Sequence, residues 1–320
     1  MRRLALSLAL VSTTACGSGD GPIRIAVAGP FSQPRGLAMK QAAQLAEREI
    51  NARGGIGGRP LELVFADDSA RDSVAVRVAQ ALLGDPSVVA VVGHLTSAAT
   101  IAAVTVYASG RDPLPLISPS ASSPALTGIS PYFFRVCPSD LSHGPRLARY
   151  ARQQLGARTA GLIYVNDDYG RGVRGSFTAE FARLGGSVVE EDPALPTTPS
   201  LEPYLSRMRR RGGVDVLVLA TEARMAELAL REMAGLGIRW PVIGGDALVG
   251  IERSGPLAEG VRVTAAYLPD RSDARNQAFI EAYSRAYPGQ LPDHRGAGAY
   301  DIVHLLARGI QEAGPDRRAL

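Results

Sequence analysis

The sequence predicts an α/β protein built as two similar lobes, and three observations carry that prediction. Val88 to Val92 is apolar at every position, which suits a strand buried on both faces of a parallel sheet. Runs of this kind alternate with helix-length segments, the pattern of an α/β architecture. The alternation starts afresh in the second half, and 320 residues at 46% hydrophobic composition are enough for two domains, each with its own core.

The first sixteen residues stand apart from this fold. Arg2 and Arg3 precede an apolar run, Leu4 to Val11, that is too short to span a bilayer, and small residues lead to Cys16, so residues 1–16 read as an export signal. Residues 17–22 then form a flexible, glycine-rich tether.

Ile23 to Ala28 is the first predicted strand, closed by Gly29-Pro30. A helix follows over Leu37 to Ala52, with Ala38, Ala42, Leu45, Ala46 and Ile50 on one face. The glycines between Gly54 and Gly58 stop it and turn the chain into a strand, Leu61 to Phe65. After the strand Val88 to Val92 comes Gly93, then a helix over Ala98 to Ala108 with Ser97 as its predicted N-cap. The unpaired N–H groups of that first turn make a ready anion site. A second short strand, Leu114 to Ile117, ends in Ser118-Pro119-Ser120-Ala121-Ser122-Ser123-Pro124, a turn rich in donors. Two such edges side by side suit one carboxylate, although capping and turn formation alone also account for these serines.

The arrangement resembles the type I periplasmic solute-binding proteins of the leucine/isoleucine/valine-binding family. The resemblance rests on Val91 to Ser97 with Thr100 and Tyr107, on Ile117-Ser118-Pro119 with Ala121, Pro124 and Leu126-Thr127, and on Phe134-Arg135. Ile50-Asn51, Gly54 to Gly58, Asp67-Asp68 and Ala299-Tyr300-Asp301 extend it. It implies two Rossmann-like lobes joined by a hinge, with lobe I from residues 23–137 and 267–320 and lobe II from 138–266. It further implies that Ser97 and Ser122 bind the α-carboxylate of an amino acid, with Ala121 in the same turn and the backbone of Ser120 taking the ammonium. Relatives continue past the last helix with a third hinge crossing and a final strand region in lobe II, so a chain stopping at Leu320 is expected to lack that segment.

In lobe II the predicted strands are Ala160 to Val165, Ser187 to Glu190, Val214 to Leu219 and Val242-Ile243. The helices are Leu141 to Leu155, Arg171 to Leu184, Leu201 to Arg211 and Met225 to Leu236, and Gly260 to Ala266 is expected to lead the chain back to lobe I. There, Asn276 to Tyr287 and Ala299 to Ala313 are predicted helices. Gly170 to Gly175 fits G-x-G-x-x-G, yet four polar residues separate it from the strand, and Asp167 and Asp168 would repel a pyrophosphate. The resemblance gives a better account: D-x-x-Y-G-x-G occurs at this place, with Tyr169 facing the cleft. It also implies that Asp246 pairs with the ligand ammonium. Glu222 and Arg224 stand where many relatives place an aromatic residue on the ligand side chain, so a polar or charged ligand group is open beside a branched-chain one.

Other chemistries find little support. The four histidines lack metal-ligand spacing, no nucleophile elbow or Walker A motif is present, and the arginines from Arg207 to Arg211 lack interleaved aromatics, so no metal, cofactor, catalytic residue or nucleic acid is expected. With Cys16 lipidated, as a resemblance to the bacterial lipobox implies despite Thr13, Cys137 has no disulfide partner and is expected to be buried. The expected function is that of an exported, lipid-anchored monomer at the periplasmic or cell surface. It would bind an amino acid or similar small zwitterion, branched-chain-like, for an ABC permease, and it would not be an enzyme. A ligand sensor acting through a partner protein and an exported hydrolase are the alternatives from other classes.

Overall fold

The computed structural model describes residues 21–320; the export signal and Cys16 lie outside the described residues. Lobe I holds β1 (Ile23–Gly29), α1 (Pro34–Ala52), β2 (Leu61–Asp67), α2 (Asp72–Leu83), β3 (Val88–Val92), α3 (Ser97–Tyr107), β4 (Leu116–Ser118) and β5 (Phe133–Arg135). Lobe II holds α4 (Asp140–Gln153), β6 (Thr159–Val165), α5 (Asp168–Arg183), β7 (Ser187–Ala194), α6 (Glu202–Arg210), β8 (Val216–Ala220), α7 (Ala223–Gly235), β9 (Val242–Gly244) and β10 (Arg262–Val263). The chain then returns to lobe I for α8 (Ala274–Ala286) and α9 (His294–Ala313).

Each lobe carries one five-stranded parallel sheet, ordered β2-β1-β3-β4-β5 in lobe I and β7-β6-β8-β9-β10 in lobe II. The two orders are the same winding. In both, the sequence of strands reverses beside the first strand, and the crevice at that reversal, beyond the carboxyl ends of the strands, is where doubly wound sheets bind ligands. β3 and β8 are buried at all their positions because helices cover both sheet faces. In lobe I, α1 and α9 cover one face and α2 and α3 the other. In lobe II, α4 and α5 cover one face and α6 and α7 the other.

Two sequence expectations shift, and one helix is added. Asp72 to Leu83 forms α2, a stretch for which the sequence analysis gives no element. Helix α9 begins at His294 rather than Ala299, since the Asp293 carboxylate accepts the N–H groups of Arg295 and Gly296 and so starts it earlier. The strand after α5 runs to Ala194, past the predicted Glu190.

Glycines account for two of the motifs. A Cβ at Gly170 would fall 1.9 Å from the Val165 carbonyl oxygen, and one at Gly172 would fall 2.8 Å from Pro124 Cδ of lobe I and 2.9 Å from Asp140 Oδ2. The G-x-G spacing therefore serves close packing of α5 on β6 and of lobe on lobe. Gly93, at φ +141°, has a Cβ position 2.2 Å from the Ala28 carbonyl, so no other residue fits between β1 and β3 there.

The described chain crosses between lobes twice, from β5 to α4 and from β10 to α8. His143 Nδ1 lies 2.9 Å from Thr264 Oγ1 and ties one crossing to the other. After α9 the chain folds back on lobe I: buried Arg317 donates from Nε to Val88 O at 2.8 Å and from Nη2 to Asp85 O at 2.5 Å. Cys137 is a free, buried thiol near the first crossing, pushed up to about 12 by burial and by the charge of Asp246. The arginines at the end of α6 are engaged at the surface, Arg207 with Glu190 and Asp192 and Arg211 with Glu190. No helix among the described residues is long and apolar enough to cross a membrane.

Phe177 is fully buried under lobe II and stacks on Phe181 with ring centroids 5.1 Å apart. Phe177→Ala is expected to lower the unfolding free energy by about 3–5 kcal/mol. Urea unfolding followed by circular dichroism measures this, and a loss under about 1 kcal/mol would contradict the packing described.

Candidate functional site

The loops beyond the carboxyl ends of the strands face each other across the gap between the lobes and line a cavity. It holds about 400 Å³ of non-atom space, partly open to solvent. Its walls pair off by strand. Arg35 follows β1 as Asp167 and Tyr169 follow β6, Thr96 and Ser97 follow β3 as Glu222 follows β8, and Ser120 follows β4 as Asp246 follows β9. A larger depression, about 490 Å³, lies between α1 and α9. It is built by lobe I alone and shares none of these residues, so it is not the candidate site.

The lobe I wall offers donors. Thr96, not Ser97, caps α3: its backbone is extended and its hydroxyl accepts the Ala99 N–H at 3.4 Å. Ser97 is the first helical residue, and its Oγ accepts the Ser123 N–H at 3.1 Å, which joins the turn after β3 to the turn after β4. The hydroxyl hydrogen of Ser97 and the N–H groups of Ser97 and Ala98, at the start of an eleven-residue helix, remain for an anion. Beneath this wall His94 is wholly buried, with Nδ1 2.6 Å from Asp68 Oδ2 and Nε2 3.2 Å from Tyr107 Oη. The His94 carbonyl also accepts from Ser118 Oγ at 2.6 Å, so a packed polar network fixes the turn that carries Thr96 and Ser97.

Not every expected residue reaches the cavity. Ser120 does, and its Oγ lies 3.2 Å from His294 Nε2. Ala121 and Ser122 do not line it. The Ala121 N–H is bound to Ser118 Oγ at 3.0 Å, and buried Ser122 sits beside the Asp140 carboxyl, whose N–H its carbonyl accepts at 2.9 Å. The turn curls inward because Ser118 Oγ and the Arg135 guanidinium hold its backbone, the latter bonding the carbonyls of Ala121 and Ser123. Nothing in the local sequence marks that curl.

The lobe II wall is acidic. Asp246 is buried, its Oδ1 has no hydrogen-bond partner, and its Oδ2 lies 3.9 Å from His143 Nε2 and 3.8 Å from His294 Nε2. Burial, reinforced by the neighbouring Arg295 charge, lowers His294 to about 4, so at neutral pH it brings no cation to Asp246. Burial and the charge of Asp246 push the Tyr169 phenol well above its ordinary range, and its oxygen accepts the Ala247 N–H at 3.2 Å. Asp140, just behind, is raised to about 8 by burial and by Asp246. Asp246 thus lies buried beside Asp140, without a protein cation in hydrogen-bond reach.

Sequence reasoning missed Arg35 and Arg295. Arg35 pairs with Glu222 across the gap, and Arg295, beside the Asp293 cap, reaches the same cavity from α9. The available signal for Arg35 was its position, one turn past the end of a first parallel strand with Pro34 starting a helix. Arg295 follows no strand, and only the packing of α9 on α1 brings it there. Among the described residues no cluster of His, Cys, Asp and Glu has a metal-holding arrangement.

Comparison with known proteins agrees with this architecture. The chain is 26% identical to the leucine-, isoleucine-, valine-, threonine- and alanine-binding protein of Pseudomonas aeruginosa over 98% of its own length and 84% of that protein's. It superposes with a TM-score of 0.84, at 29% identity and covering 93% and 87% of the two chains, on LivJ of Streptococcus pneumoniae, a branched-chain amino acid transporter substrate-binding protein solved with isoleucine. An ABC transporter substrate-binding protein of Desulfitobacterium hafniense solved with leucine gives 31% identity, coverage of 93% and 86%, and a TM-score of 0.78. The family model for periplasmic binding proteins matches residues 22–320. The chain therefore belongs to the periplasmic binding protein family, whose members bind substrates and are not enzymes.

Proposed function

We propose that this protein is the extracytoplasmic solute-binding component of an ABC importer, which captures an amino acid or similar small zwitterion between its lobes and passes it to a membrane permease. One observation carries the reading: the two walls of the cavity have opposite chemistry. Lobe I presents the hydroxyls of Thr96, Ser97 and Ser120 and the N-terminus of α3, while lobe II presents buried Asp246 with an oxygen left unbonded. A zwitterion satisfies both at once, its carboxylate against α3 and its ammonium against Asp246, through charge-assisted hydrogen bonds. Because the two ends are held by different lobes, the ligand itself favours the closed arrangement.

Ser97, Ser120, Tyr169, Glu222 and Asp246 are assigned to this contact set. Ser122 and Ala121 then act behind it, through the shape of the turn. Export and a lipid anchor at Cys16 complete the proposal and fit the family, since a tethered binding protein stays close to its permease.

Ser97→Ala is expected to weaken amino acid binding by about 1.5–3 kcal/mol, the range for hydrogen bonds to charged groups. Asp246→Asn should weaken it at least about tenfold, about 1.4 kcal/mol. Isothermal titration calorimetry measures both, and unchanged affinity in either variant would contradict the corresponding assignment. A ligand ammonium on Asp246 would also lower Asp140 from its value of about 8 in the ligand-free protein. Binding near pH 7.5 should then release a fraction of a proton, and affinity should rise with pH towards 8. Titrations in buffers of different ionisation enthalpy read this release. It should vanish in Asp140→Asn, and an equal release in that variant would count against the coupling.

A further inference from the structure

We propose that the ligand carries a second anionic group at its side-chain end, received by Arg35 and Arg295, so that the site takes an acidic amino acid, or a similar ammonium-bearing dicarboxylate, in preference to a branched aliphatic one. This rests on the reading of the cavity as an amino acid site.

With the carboxylate placed on α3 and the ammonium on Asp246, the rest of the cavity has to suit the ligand side chain. Its apolar contribution is confined to Leu95, Ala247 and the ring of Tyr169, and what remains is Arg35, Arg295, Glu222 and Asp167. An aliphatic side chain seated there would strip water from charged groups and give them no partner in return. The site is therefore poorly suited to leucine, isoleucine or valine.

Burial decides which charge the side chain carries. The Arg295 side chain is 7% exposed and spends only Nη1, on Asp293 Oδ2 at 2.7 Å, so its Nε and Nη2 have no hydrogen-bond partner among the described residues. Arg35, 19% exposed, gives Nε to Gln33 Oε1 at 2.9 Å and Nη1 to Glu222, and its Nη2 is likewise unspent. The acidic groups are better satisfied or better hydrated. Glu222 is 45% exposed and already on Arg35, and Asp167 caps α5 by accepting the Gly170 N–H at 2.8 Å. Exposed charges are screened by water and salt, whereas buried ones act at close to full strength. Burial first, and the charge of Arg295 second, lower Arg35 to about 10, while Asp68 and Asp167 act in the opposite sense. A ligand carboxylate in the cavity that both arginines line would meet the guanidinium donors they leave unspent.

The test is a calorimetric and thermal-shift panel on the full chain with glutamate, aspartate, glutamine, leucine and lysine. Glutamate or aspartate is expected to bind at least tenfold more tightly than leucine. Arg295→Met should reduce the preference for that acidic ligand over glutamine at least tenfold, and Arg35→Met serves the same purpose if the first variant does not fold, as judged by its ligand-free melting. Leucine or lysine binding as tightly as both acidic amino acids, or an acidic preference surviving the arginine replacement, overturns this inference and leaves the amino acid site standing. Failure of every amino acid in the panel to bind overturns the amino acid reading itself and this inference with it.

Discussion

A buried carboxylate without a cation is the constraint on which the functional account depends. Asp246 is held at the end of β9 with one oxygen unbonded, beside histidines nearly 4 Å away, of which His294 is kept neutral by its burial and by Arg295. Leaving such a group unpaired costs free energy in the ligand-free protein. In the proposed function a ligand ammonium removes that cost, so the same feature that burdens the empty protein would favour ligand binding. Asp140 shows how the protein limits the burden: of two neighbouring buried carboxyls, it holds its proton to about pH 8.

The opposite wall is made rigid by different means. Asp68, His94 and Tyr107 lie in a buried chain of hydrogen bonds under the turn after β3, and Ser118 bonds the His94 carbonyl from the next strand. Gly93 lets β3 approach β1 closely enough for that network to form. The donors of α3 are therefore set in position before any ligand arrives, and preorganisation of this kind avoids an ordering cost on binding. Lobe II is joined to lobe I through two crossings that His143 and Thr264 tie together.

Much of this was legible in the sequence because it depended on local pattern. All-apolar strands, glycine stops and hydroxyl-rich turns mark the βα order and the α3 side of the cavity. Asp246 was legible through the family pattern alone. What escaped depended mostly on tertiary placement. Arg295 reaches the cavity from a helix far along the chain. The inward curl that takes Ser122 off the wall is imposed by Ser118 and Arg135 rather than by the serines themselves. Thr96 displaces Ser97 as cap by a single residue, a difference that side-chain chemistry does not resolve because both hydroxyls are good caps.

The central claim is that one small ligand is gripped at its carboxylate by lobe I and at its ammonium by lobe II. Calorimetric comparison of the tightest-binding amino acid with its α-carboxamide and its N-acetyl derivative tests it directly, because each derivative cancels one charge and leaves the side chain intact. The account predicts that each loses at least about tenfold in affinity, about 1.4 kcal/mol or more. If either derivative binds as well as the parent amino acid, the ligand is not held at both ends and the account fails.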